Sequence, residues 1–92
     1  MRERAVTVRN ALGMHARAAA RFVHAAGAFP CRVTVTREDR ADRVVDGKSI
    51  LGLLLLAAAR GVTLRITADG ADEDEALRAL CRLVESGFEE AP

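Results

Sequence analysis

The order and spacing of apolar residues predict an α+β fold in which one sheet is covered by helices on one face. Three observations carry this prediction. Apolar patterns of period two and period 3.6 alternate as strand, helix, strand, strand, helix, strand, helix. The second and third strands are joined by too short a connection for a crossover, so they pair antiparallel. The 92 residues suffice for one domain, residues 1–92, with a single core and no separate catalytic domain. One sheet backed on one face is then the economical way to bury every apolar stripe.

The first strand spans Glu3 to Arg9, where Val6 and Val8 alternate with Thr7 and Arg9. A loop from Asn10 to Met14 follows. From Ala16 to Ala26 the residues Ala19, Phe22, Val23 and Ala26 recur at i, i+3, i+4 and i+7, and Gly27 is expected as the C-terminal cap. His24 lies about 100° from Val23, off the centre of that face, and reads as a partly exposed histidine. Cys31, Val33 and Val35 alternate with Arg32, Thr34 and Thr36 in a second strand. Val44 and Val45 close a third after a charged turn from Arg37 to Asp42. Gly47 to Ala58 covers a short helix and its exit, and Thr63 to Thr67 a fourth strand with Leu64 and Ile66 on one face. The last helix, Asp72 to Ser86, begins with Asp72 and Glu75 spaced as a capping box and buries Leu77, Leu80, Cys81 and Val84.

Half of the residues are hydrophobic, yet the chain has no Trp, no Tyr and only 3 Phe, so the core is aliphatic. Fourteen Lys and Arg against 13 Asp and Glu leave a formal net charge of +1, which argues against a polyanion binder such as a nucleic-acid-coating protein. The amino terminus shows no apolar signal region, and the longest apolar stretch, Leu53 to Ala59, is far short of a membrane span. A cytoplasmic protein is expected. Cys31 and Cys81 occupy apolar positions and read as small buried hydrophobes, not as a disulfide or metal site.

The segment from Asn10 to Arg17 carries most of the chemical information. It sets His15 and Arg17 two residues apart where a strand hands over to a helix. The first helical turn has unpaired N–H groups and the positive end of the macrodipole, so an anion held on His15 would be stabilised by the backbone from Ala16 onward. Arg17 adds a guanidinium fork matched to phosphate oxygens. Gly13 permits a backbone conformation that other residues resist. The spacing alone fits equally a surface histidine beside a helix cap.

Gly13-Met14-His15-Ala16-Arg17, followed by Ala-Ala-Arg-Phe-Val and later by Asp46-Gly47-Lys48-Ser49-Ile50-Leu51-Gly52, resembles the HPr family of the phosphoenolpyruvate phosphotransferase system. The resemblance covers nearly the whole chain, including the ending Leu83 to Phe88. It implies a four-stranded antiparallel sheet backed by three helices, an open-faced sandwich, with His15 phosphorylated on Nδ1. Many relatives have proline directly after the arginine. Here Ala18 stands in that place, and a rigid start to the helix is lost. The hairpin around Arg37 to Arg43 also looks longer than in many relatives, which leaves its register open.

Gly47-Lys48-Ser49 is not the tail of a phosphate-binding P-loop, because Asp42 stands where that motif needs glycine. Ser49 reads as a helix N-cap. The resemblance adds a second reading, as the serine phosphorylated by a dedicated HPr kinase/phosphorylase. The run that follows has apolar side chains all around a two-turn helix. Leu53, Leu56 and Ala57 are taken as core; Ile50, Leu51, Leu54 and Leu55 then form a surface patch for docking, or are covered by the following loop.

The expected function is a phosphocarrier that takes a phosphoryl group from phosphorylated enzyme I and passes it to enzyme IIA-type acceptors. It works as a monomer, needs neither metal nor cofactor, and is not itself an enzyme. A regulatory module gated by Ser49, or a nitrogen-type branch of the same system, is the alternative. A ligand-binding domain with an incidental histidine would instead show a cleft with convergent polar groups.

Overall fold

The computed structural model describes residues 1–90, in the order β1 (Arg2–Thr7), α1 (Ala16–Gly27), β2 (Arg32–Arg37), β3 (Arg40–Asp46), α2 (Ile50–Leu55), β4 (Thr63–Asp69) and α3 (Glu73–Glu85). The four strands form one open sheet in the order β1-β4-β2-β3, with every neighbouring pair antiparallel. Register places Ile66 opposite both Arg4 and Val35, and Val35 opposite Val45. Side chains alternate across a strand, so Val6, Val33, Val35, Leu64, Ile66 and Ala68 share the face beneath the helices and are buried. Phe22 of α1, Leu53 of α2 and Leu80 and Val84 of α3 close over them. The opposite face carries Thr34, Thr36, Thr67 and Arg65, with Arg65 paired to Glu3 and Glu38. Such a surface tolerates water, which is why the second face needs no cover.

Several boundaries differ from the sequence expectation, each for a local reason. Ladder pairing of β1 stops at Thr7, although Val8 continues it through its N–H to Val62 O at 2.9 Å. Gly27 is the last helical residue and not a left-handed cap; Ala28 caps α1, and Ala28 and Phe29 donate back to Ala25 O and Ala26 O. Pro30 cannot continue the helix. The third strand begins at Arg40, so the turn is only Glu38 and Asp39. Charge did not prevent a strand there, because β3 lies on the sheet edge and has little to bury. Pairing jumps from Thr36–Val44 to Arg37–Arg40, which bulges Ala41, Asp42 and Arg43 outward. Arg37 forks onto Asp39 at 2.9 and 2.7 Å and also donates to Leu56 O and Ala57 O.

Ala57 is not core. It is exposed with φ 50°, a left-handed residue that ends α2, while Leu53 and Leu56 are buried as expected. Asp72 occupies the N-cap position of α3 but makes no side-chain cap bond; Glu73 Oε1 instead accepts from Gly70 N–H at 3.2 Å. That bond and the neighbouring terminal amine hold the Glu73 carboxyl below its ordinary range. Both cysteines are free and buried, and burial pushes their thiols up, away from the reactive thiolate.

Candidate functional site

The Asp46 to Ser49 motif is a splice between the edge strand and α2. Asp46 accepts from Lys48 N–H at 2.9 Å, and Lys48 Nζ reaches Phe29 O at 2.6 Å behind α1. Gly47 lies so close to Val33 that a Cβ would stand 2.5 Å from its Cγ1. Ser49 caps α2 through Gly52 N–H at 3.0 Å. Ile50, Leu51, Leu54 and Leu55 remain exposed after α2 packs, with Leu51 at 68%. Leu12 is exposed in the same way on the histidine loop, a residue that no sequence pattern singles out.

The histidine loop is fixed to the exit of α2. Gly13 has φ +65°, and a side chain there would strike the Ala58 carbonyl and stand 2.9 Å from Ala59 Cα. Only glycine meets both demands without strain. Met14, buried beside it, donates its N–H to Ala58 O at 2.8 Å. Asn10 ties the loop from inside by donating to Gly13 O at 2.8 Å, while its own Oδ1 is buried without a partner among the described residues.

His15 is itself the N-cap of α1. Its Nδ1 accepts from the Arg17 amide at 3.2 Å, and its carbonyl accepts from Ala19 N–H at 2.8 Å. This bond supplies what Ala18 lacks: the helix starts at Ala16 without proline, and the small Ala18 is fully buried in the first turn. The amides of Ala16 and Ala18 have no hydrogen-bond partner among the described residues, and the exposed Arg17 guanidinium forms no ion pair among them. Among the described residues, one helix start thus offers unused donors, an unpaired cation and an imidazole lone pair within the four consecutive residues His15 to Ala18.

The far side of the ring meets Glu90, a residue that the sequence pattern does not mark as part of the site. Its Oε1 and Oε2 both lie 3.1 Å from His15 Nε2, and Oε1 also accepts from Asn10 Nδ2 at 2.6 Å. An amide can only donate and a carboxylate only accept, so Nδ1 carries the lone pair and Nε2 the proton. Desolvation is the largest single influence on the Glu90 carboxyl and pushes it up. The hydrogen bonds from His15 and Asn10 and the nearby Arg21 guanidinium outweigh it together, and its pKa lies below the ordinary range. The tail gets there through three successive left-handed residues, Gly87, Phe88 and Glu89, with φ 73°, 59° and 62°. Phe88 is completely buried and Arg21 holds its carbonyl. A lone aromatic residue in a polar tail was the only signal in the sequence.

Beside the site lies an open hollow of about 530 Å³, lined by Arg9, Leu12, Arg60, Ser86 and Glu90 among others. His15 does not line it. His24 is exposed on α1, away from the ring of His15.

Residues 2–86 match the family described as PTS HPr component phosphorylation site. The chain is 48% identical over 85 residues to the phosphocarrier protein HPr of Pseudomonas aeruginosa, covering 92% of each protein. It is 39% identical to the phosphocarrier protein NPr of Shewanella violacea, over 97% of this chain and 94% of that one. The crystal structure of an HPr from Thermoanaerobacter tengcongensis superimposes with a TM-score of 0.91 at 37% identity, covering all of both chains.

Proposed function

We propose that in this chain, which belongs to the HPr phosphocarrier family of the phosphotransferase system, His15 takes a phosphoryl group from phosphorylated enzyme I and gives it to an enzyme IIA-type acceptor. The observation that supports this most is the Nδ1 lone pair directed at the start of α1. Nδ1 attacks phosphorus as the bond to the donor breaks. The Arg17 amide then exchanges its ring acceptor for a phosphoryl oxygen, and the amides of Ala16 and Ala18 face the same charge. Arg17 brings its guanidinium to the remaining oxygens. Gly13 holds the loop so that the imidazole meets the helix end. The chain is the substrate of its partners, which supply the catalysis, and it acts as a cytoplasmic monomer without metal or cofactor.

Ile50, Leu51, Leu54 and Leu55 form the apolar part of the partner surface; α2 and the histidine loop meet at Ala58. Phosphorylation of Ser49 by an HPr kinase/phosphorylase would add charge at that surface and slow transfer. A nitrogen-type branch of the system is the second reading, favoured by the likeness to a protein named NPr.

The test is incubation with phosphoenolpyruvate and enzyme I, with the acid-labile phosphate located by mass spectrometry. It is expected on His15, absent from folded His15→Ala, and formed about 10- to 1,000-fold more slowly in Arg17→Ala. Undiminished labelling of His15→Ala would refute the assignment.

A further inference from the structure

We infer that Glu90 is a positioning residue for His15, whose carboxylate holds one proton on Nε2 throughout phosphoryl transfer. The inference rests on the phosphocarrier reading and extends it to the tail, which lies beyond the family match at residues 2–86.

The contact is built and not incidental. Glu90 and His15 are 75 residues apart in sequence, yet their side chains are only 18% and 25% exposed. Non-glycine residues resist the left-handed region, and the tail contains two there, Phe88 and Glu89. Complete burial of Phe88 and the Arg21 contact to its carbonyl offset that cost. Asn10 then bridges the carboxylate to Gly13 O, so the tail and the loop that aims His15 are one hydrogen-bonded unit.

The chemistry requires such a group. When the Nδ1 lone pair forms the N–P bond, the bond from phosphorus to the donor breaks and its electron pair leaves with the donor. The ring gains a positive charge, shared with Nε2–H. Glu90 is already hydrogen-bonded to that proton and balances the charge without moving it. In the onward step a nucleophile of the acceptor bonds to phosphorus as the N–P electron pair returns to Nδ1, and the ring departs as neutral imidazole with the same proton on Nε2. Without an acceptor at Nε2, only the Arg17 amide opposes movement of the proton to Nδ1, and that tautomer has no lone pair for phosphorus. Carboxylates that orient metal-bound imidazoles are typically worth about 10- to 100-fold in activity, and Glu90 stands to His15 in the same geometric relation.

The experiment uses the full chain labelled with 15N-histidine, compared as parent, Glu90→Ala and Glu90→Gln. In the parent, NMR is expected to show His15 with bare Nδ1 and protonated Nε2. Glu90→Ala should populate the Nδ1–H tautomer and expose the Nε2 proton to fast exchange, and enzyme I-dependent phosphorylation should slow by on the order of 10-fold. Glu90→Gln retains an acceptor oxygen and should restore the parent tautomer, with a rate nearer the parent's than the alanine variant's. Identical tautomer populations and rates in parent and Glu90→Ala would overturn the inference. A parent that enzyme I does not label would remove the carrier reading instead, and the NMR comparison would still decide whether Glu90 sets the tautomer.

Discussion

Replacing Gly13 with alanine and Gly27 with alanine makes the same chemical change with opposite expected outcomes. At Gly13 the added Cβ meets backbone, the Ala58 carbonyl and Ala59 Cα, which no side-chain rotation can relieve. The left-handed φ of +65° adds about 1–2 kcal/mol for alanine. Moving the loop away breaks the Met14 N–H bond to Ala58 O, worth about 1 kcal/mol, and crowding of this kind typically costs about 1–3 kcal/mol more. The sum is about 3–6 kcal/mol, a large part of the roughly 5–15 kcal/mol that holds such a domain together. Gly27 ends α1 with open space where a Cβ would stand, no atom lying within 4 Å of it, and with no left-handed φ. Alanine there removes backbone freedom from the unfolded chain and should stabilise by about 0.5–1 kcal/mol. Thermal unfolding followed by far-ultraviolet circular dichroism suits a chain without Trp or Tyr. Gly13→Ala should melt at least about 12 °C below the parent, given about 4–8 °C per kcal/mol for a domain of this size, and Gly27→Ala a few degrees above. Equal melting temperatures for the two variants would refute the reasoning, because the backbone contacts at Gly13 oppose alanine while the open space at Gly27 admits it.

Three further outcomes follow from single contacts. Ala57→Gly should raise the stability by about 0.5–1 kcal/mol in urea unfolding, since glycine accepts φ 50° without strain; a loss would mean that the methyl group packs. Ser49→Ala should lower it by about 1 kcal/mol through the lost bond to Gly52 N–H, and an unchanged midpoint would show that water replaces the cap. Leu54→Glu should melt within about 5 °C of the parent because the side chain is already partly in water. It should weaken the enzyme I complex by about 1–3 kcal/mol in calorimetry; full affinity would remove α2 from the docking surface.

The elements and their order were legible because each depends on near neighbours. Period two in Val33 and Val35, period 3.6 in Phe22 and Ala26, and a hydroxyl before a helix at Ser49 are local statements about a backbone and its next turn. His15, Arg17 and Gly13 were legible for the same reason, since a helix start creates its own donors. Where tertiary contacts compete with local preference, sequence patterns mislead. Asp72 lost its cap to Glu73, which the Gly70 turn brings within reach. Ala57 left the core where the chain turns left-handed to end α2, with Arg37 from the neighbouring hairpin holding its carbonyl. The charged residues of β3 became a strand only because β2 supplied a partner edge.

Local patterns along the chain were enough for the βαββαβα order, the aliphatic core and a histidine at a helix start. Long-range packing was needed to establish that β4 enters between β1 and β2, that Ala58 anchors the histidine loop, and that Glu90 faces Nε2. Those three facts join residues dozens of positions apart, and no periodicity connects them. They arise when burial of Phe88 and of the sheet's inner face outweighs the entropy of closing long loops, and that balance belongs to the whole chain.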